Sequence, residues 1–168
     1  MKIRMRHIQL FILLFAASSL LFQLPPEAFA STPSDITAKG SMTDDENTVL
    51  DGAHGVDTFT IGSSTYAIVA SLTENGVQII DISDVDKIMA KGTATDGEGL
   101  FDELEGVHAV ETFVIGSSTY AIVGSLTDDG VQIIDISDVD NIVAKGSMTD
   151  NDSRNLASPR NVSTFTIG

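Results

Sequence analysis

The sequence predicts an all-β chain assembled from repeated four-stranded antiparallel sheets. Three observations predict it. Residues 56–92 and 110–146 align without a gap at an offset of 54, and thirty of the 37 aligned positions are identical. Helical periodicity is absent beyond residue 30, where β-branched residues dominate the apolar stretches. Asn75-Gly76 in one copy and Asp129-Gly130 in the other read as tight two-residue hairpin turns, because both pairs tolerate positive backbone angles.

Each copy divides into four strands. Strand a covers residues 56–61 and stops at Gly62-Ser63-Ser64. Strand b covers residues 65–71, and its centre, Tyr66-Ala67-Ile68-Val69-Ala70, is apolar at consecutive positions. A strand facing water on one side alternates, so this run predicts burial on both faces. Strand c covers residues 77–82 and ends in Ser83-Asp84-Val85-Asp86; strand d starts at Ile88 and runs to Gly92 or beyond. Partial copies flank the full ones. Ile36-Thr37-Ala38-Lys39-Gly40 matches the end of strand d, and Thr164-Phe165-Thr166-Ile167-Gly168 matches strand a. The expected total is ten strands.

A four-stranded meander of about fifty residues, repeated and buried on both faces, is the pattern of a β-propeller blade. A solenoid has shorter periods, and sandwich strands alternate more cleanly. The fold class is therefore all-β, with about two and a half propeller blades in residues 31–168. Closure takes roughly four to eight blades. The expectation is a fragment of a larger propeller, the alternative being a short protomer that completes a ring by association.

The strands also carry a family resemblance. Tyr66-Ala67-Ile68-Val69 followed by Gly76-Val77-Gln78-Ile79-Ile80-Asp81-Ile82-Ser83-Asp84 resembles the LVIVD repeat of secreted bacterial and archaeal propellers. The likeness covers essentially residues 36–168. It departs after Ser-Asp, where that family commonly has proline and this chain has Val85 and Val139. The resemblance implies an extracytoplasmic propeller and brings no single activity with it.

Residues 1–30 have a different composition. Lys2, Arg4 and Arg6 precede an apolar run from Ile8 to Leu24; Pro25-Pro26 ends it, and Ala28-Phe29-Ala30 supplies a small-x-small site. This is the layout of a secretory signal peptide cleaved before Ser31. A retained anchor is the alternative, although a run this short is at the lower limit for spanning a bilayer. The expected location is extracytoplasmic, with no membrane association beyond the signal.

Charge narrows the partners. The chain carries a net −15, and residues 31–168 hold 6 basic against 23 acidic residues. Such a surface repels a phosphate backbone, which excludes nucleic acid as partner. With no cysteine, a disulfide framework, a zinc-cysteine site and a thiol nucleophile are excluded. No Gly-x-Ser-x-Gly elbow, phosphate loop, dinucleotide fingerprint or His-Glu-x-x-His helix occurs.

Antiparallel order puts the b–c turns and the d-to-a connections at one end of the sheets. The connection 93–106 collects Asp96, Glu98, Asp102, Glu103 and Glu105, and the next b–c turn adds Asp128 and Asp129. Asp96, Glu98 and Asp102 are the candidate metal ligands, since oxygen donors in an acidic loop suit Ca²⁺. Asp44, Asp96 and Asp150 recur at one place in the repeat, which also fits turn capping. Asp81 and Asp135, within strand c, recur with the fold and are expected to hydrogen-bond neighbouring backbone. His54, His108 and Arg160 are equivalent positions before strand a and form a candidate cluster at the channel mouth. The leading functional expectation is a non-catalytic binding scaffold for a protein or small ligand, acting through the acidic loop face and assisted by Ca²⁺. A propeller enzyme, hydrolytic or redox, and a structural envelope component are the alternatives.

Overall fold

The computed structural model describes residues 37–167. The expected signal at residues 1–30 lies outside them. The described strands belong to one compact unit beginning at Lys39. They form two four-stranded antiparallel sheets, and no helix occurs among the described residues. The first sheet contains β1 (Ala53–Ile61), β2 (Ser64–Ser71), β3 (Gly76–Asp81) and β4 (Met89–Thr95), in that order. The second contains β5 (Val107–Ile115), β6 (Ser118–Ser125), β7 (Gly130–Asp135) and β8 (Val143–Thr149).

Registers repeat between the sheets. Phe59 lies opposite Tyr66 and Phe113 opposite Tyr120, and both ring pairs stack at centroid distances of 5.4 and 5.6 Å. Strand a is longer than expected: β1 begins at Ala53, with a bulge between Ala53 and Gly55. His54 is thus inside the strand rather than ahead of it. Strand d begins at Met89 and continues to Thr95, as Gly76 and Val77 offer partners to Thr95 and Ala94.

The hairpin turns differ from expectation. Ser71 pairs with Gly76, so the β2–β3 loop has four residues, and only Asn75 (φ 56°) takes a positive angle; Asp129 (φ 52°) does so in the second copy. Gly76 instead lies in the strand, where an added Cβ would meet Ala94 O at 2.5 Å. Its small size serves packing. The two-residue hairpin is the β1–β2 turn, with Gly62 (φ 61°) leading Ser63, the arrangement of a type II′ turn.

Among the described residues eight strands are present rather than ten. Residues 39–44 and 163–167 pair with no strand. Nevertheless the first of these segments occupies a repeat-equivalent place. Gly40 N–H donates to Val85 O at 2.6 Å, as Gly92 N–H in β4 donates to Val139 O at 2.7 Å. A strand requires a ladder partner on at least one side, and one such bond does not make a ladder.

A common core joins the sheets. Phe59, Ile68, Ala70, Val77, Ile79 and Ala94 of the first sheet cluster with Val107, Val110, Ala121, Val123, Ile134 of the second and with Ile136 and Leu104 beside it. In β2 the consecutive residues Ala67 and Ile68 are both buried, so both faces of this strand are covered as predicted. β3 is buried at five consecutive positions, whereas β7, with the same sequence, alternates between buried and half-buried.

Candidate functional site

The acidic connection is fastened at both ends of its span. Asp96 N–H donates to Asn75 O (2.8 Å) and Gly106 N–H to Asn75 Oδ1 (2.8 Å), tying it to the β2–β3 loop. Glu105 N–H donates to Asp128 Oδ2 (2.7 Å) and Leu126 N–H to Gly106 O (3.0 Å), tying it to the β6–β7 loop. The b–c turns and the d-to-a connection therefore share one end, as antiparallel order predicts. Gln132, fully buried in β7, donates through Nε2 to Leu100 O (2.7 Å) and anchors the middle.

The recurring aspartates cap this backbone. Asp44, Asp96 and Asp150 accept through Oδ1 from the N–H of Leu50 (3.0 Å), Leu104 (3.1 Å) and Leu156 (2.6 Å). One repeat position does one structural job three times.

The candidate calcium trio is not drawn into one cluster. Asp96 is committed to Leu104 N–H, while Glu98 and Asp102 stand exposed on the outer part of the loop. Among the described residues no group of three His, Cys, Asp or Glu side chains is placed to hold a metal ion. The physical reason is that the loop folds around hydrogen bonds to its own backbone and turns the other two carboxylates outward.

Glu103 escapes a sequence reading of the loop as a solvated run of acids. It is buried, and the Thr149 hydroxyl donates to its Oε1 at 2.7 Å, while Oε2 has no partner among the described residues. The Ser125 hydroxyl donates to Glu103 O, the bond that Ser71 makes to Val49 O in the first sheet. Glu103 thus stands at the position of buried Val49. The signal was present in Leu50-Asp51-Gly52 against Leu104-Glu105-Gly106, which aligns the two loops.

Asp128 senses this crowding. Burial raises its pKa above the usual carboxylate value; the Glu105 N–H bond opposes the rise, and the charges of Asp96, Glu103 and Glu105 add to it. At the opposite end the recurrent pair behaves otherwise. The Ser83 hydroxyl and N–H lower the pKa of Asp81, with Lys91 contributing. Burial works to raise that of Asp135, but the Ser137 hydroxyl and N–H, together with Lys145, outweigh it and the net shift is downward. Both aspartates accept from the N–H two residues on, at 2.9 and 3.1 Å, as their repetition with the fold predicts.

His54, His108 and Arg160 do come together. The imidazole centroids of His54 and His108 lie 3.6 Å apart with a 40° tilt, and His108 Nδ1 is 3.0 Å from Arg160 O. A carbonyl only accepts, so Nδ1 carries the proton in this contact. Arg160 contributes its backbone here. The pair lines a shallow groove with Gly55, Glu111 and Asn161, at the same end of the strands as the acidic loops. Ser63 and Ser117 sit in the turns at the far end of β1 and β5, about 25–30 Å of strand away. That spacing separates these serines from the imidazoles as nucleophile–base partners within one sheet. No family model and no curated protein matches the chain.

Proposed function

We propose that this chain is an exported propeller-type repeat module of the LVIVD kind, a non-catalytic scaffold that binds a cationic partner at its acidic end. The observation that carries the reading is the convergence of Asp96, Glu103, Glu105 and Asp128, where the charges of the first three add to the burial that raises the pKa of Asp128. Nothing described neutralises it. The three ion pairs among the described residues, Lys39–Asp86, Lys91–Asp140 and Lys145–Asp135, all lie at the other end. Arg154, in the loop after β8, donates to Thr149 O instead of to a carboxylate. A rigid sheet scaffold with loops pinned by backbone hydrogen bonds keeps this field in place, which lowers the ordering cost of binding. Stacked propeller blades would account for the common core and the repeat-equivalent placing of residues 39–44.

The partner chemistry is a flexible basic segment, with Ca²⁺ as a competing counterion. Titrating a fluorescent oligolysine peptide tests it. Binding is expected at low ionic strength and is lost near about 0.5 M salt, where the Debye length is only a few ångströms. Replacing Glu98→Gln, Asp102→Asn and Glu105→Gln together removes three exposed charges whose carboxylates hold no hydrogen bond among the described residues. At about 0.5 kcal/mol each, affinity falls about tenfold. Equal binding by the triple variant, or none by the parent, refutes the proposal.

A further inference from the structure

The two outer faces of this sheet pair carry the two halves of the interface already formed inside it. At the shared core, the first sheet presents Ile68, Val77, Ile79 and Ala94. The second sheet repeats those positions as Ile122, Val131, Ile133 and Met148, on the face turned away from the core. Ala94 is 2 % exposed and Met148 is 47 % exposed. The second sheet's contribution to the core includes Leu104, Val107, Val123, Ile134 and the adjacent Ile142. Their equivalents Leu50, Ala53, Val69, Ile80 and Ile88 line an open groove on the first sheet, under residues 40–44. The two described sheets cannot bring these faces together, because the faces lie on opposite sides of their common core.

We infer that the occupant of each outer face is a second copy of this chain, docked head to tail. The argument is continuity with the internal interface, in hydrophobic pattern and in backbone hydrogen bonds. Residues 36–44 and 142–150 match at eight of nine positions, Ile-x-Ala-Lys-Gly-Ser-Met-Thr-Asp in both. The first of these segments lays Gly40 N–H on Val85 O. The second is β8, where an added Cβ at Gly146 meets nothing within 4 Å. A groove that takes Gly40 will take Gly146, so β8 of one copy replaces residues 39–44 on the first sheet of the next. At the other edge, the incoming β1 replaces residues 159–167 beside β5, breaking the His108–Arg160 O contact and lifting Pro159 and Val162 from Gly124. Neither displaced segment joins a sheet: the first is held by Gly40 N–H on Val85 O and the Lys39–Asp86 pair, and in the second Phe165 and Ile167 are 84 % and 85 % exposed. The exchange trades a few contacts for a full sheet-on-sheet core, the low-cost route of swapped assembly. Such an interface is heterologous and continues into rings or open stacks. The inference rests on the packing of the two sheets and not on the cation-binding reading.

Light scattering of the full chain across a concentration series tests it, with Gly146→Val as the companion. At Gly92, the equivalent position inside the molecule, a Cβ would meet Val139 O at 2.7 Å. Gly146→Val places that clash only in the assembly and leaves the single chain undisturbed. The parent is expected to pass from one-copy to multiple-copy mass, more readily at high salt, because the chain's net −15 opposes association. The variant needs about tenfold more protein, or beyond, to reach the same mass, since such overpacking is strongly unfavourable. Ile133→Glu serves as a second block should Gly146→Val fail to fold. Both variants retain the first thirty residues, so association through that segment would not distinguish them from the parent. A one-copy mass throughout, or variants that associate as readily as the parent, overturns the inference.

Discussion

Ile79 and Ile133 occupy the same place in two copies of Gly-Val-Gln-Ile-Ile-Asp, yet truncating them should have unequal consequences. Ile79 is fully buried in the common core, whereas Ile133 is half-buried on the outer face of the second sheet. Ile→Ala removes three carbons, worth about 0.8 kcal/mol each in transfer free energy. At Ile79 the surrounding β-strands and the second sheet prevent full collapse, so a cavity term adds and the total falls at about 2.5–5 kcal/mol. At Ile133 water already reaches the site and no closed cavity forms; about 1 kcal/mol is expected from partial loss of burial. For a unit of this size a kcal/mol moves the midpoint by about 3–5 °C. Ile79→Ala should therefore lower Tm by about 10–20 °C and Ile133→Ala by about 3–5 °C. Thermal and urea unfolding are measured at concentrations dilute enough to hold single copies. If Ile79→Ala does not fold, the Ile→Val pair gives the same ordering on a smaller scale. Equal losses at the two positions would refute the assignment of inner and outer faces.

Further outcomes concern the acidic end and the strand ends. Asp96→Ala leaves Leu104 N–H without its acceptor and should cost about 1–2 kcal/mol, while Asp96→Asn retains an oxygen there and should cost less than half of that; paired melting curves check it. The raised pKa of Asp128 means that its share of stability is complete below the unfolded value near 3.8 and is lost as pH rises through the folded value. Asp128→Asn should thus be more stable than the parent at pH 7, by under about 1 kcal/mol given its partial exposure, with the advantage vanishing in acid. Asp135 has the opposite sign: its lowered pKa gives stability above 3.8 that is lost as pH falls through the folded value. Asp135→Asn should be less stable than the parent at neutral pH and converge on it in acid, and a Tm–pH series on both variants checks the two slopes.

Much of the candidate site is legible in the sequence. The shared end of the b–c loops and the d-to-a connection followed from antiparallel order. The capping role of Asp44, Asp96 and Asp150 was open to reading because a side chain that recurs with the fold usually serves it. Glu103 was not legible as a buried group, since an acid among acids in a loop reads as solvated until the aligned Val49 is seen to be buried. Likewise the four-residue β2–β3 loop was hidden: Asn-Gly satisfies the chemistry of a tight turn, and only the pairing of Ser71 with Gly76 shows the glycine inside the strand.

Local chemistry in the sequence by itself determined the strands, their order within each sheet and the polar hydrogen bonds that end them. β-Branched runs, turn glycines and short-range acceptors such as Asp81 and Asp135 act over a few residues, so two near-identical copies make two near-identical sheets. Tertiary structure alone decided which copy of each residue is inside. Val77 and Val131 lie in the same Gly-Val-Gln-Ile-Ile-Asp run, but one is covered by a second sheet and the other is left half-buried. Burial depends on what arrives from elsewhere in space, and a perfect repeat carries no local mark of which of its faces will be covered.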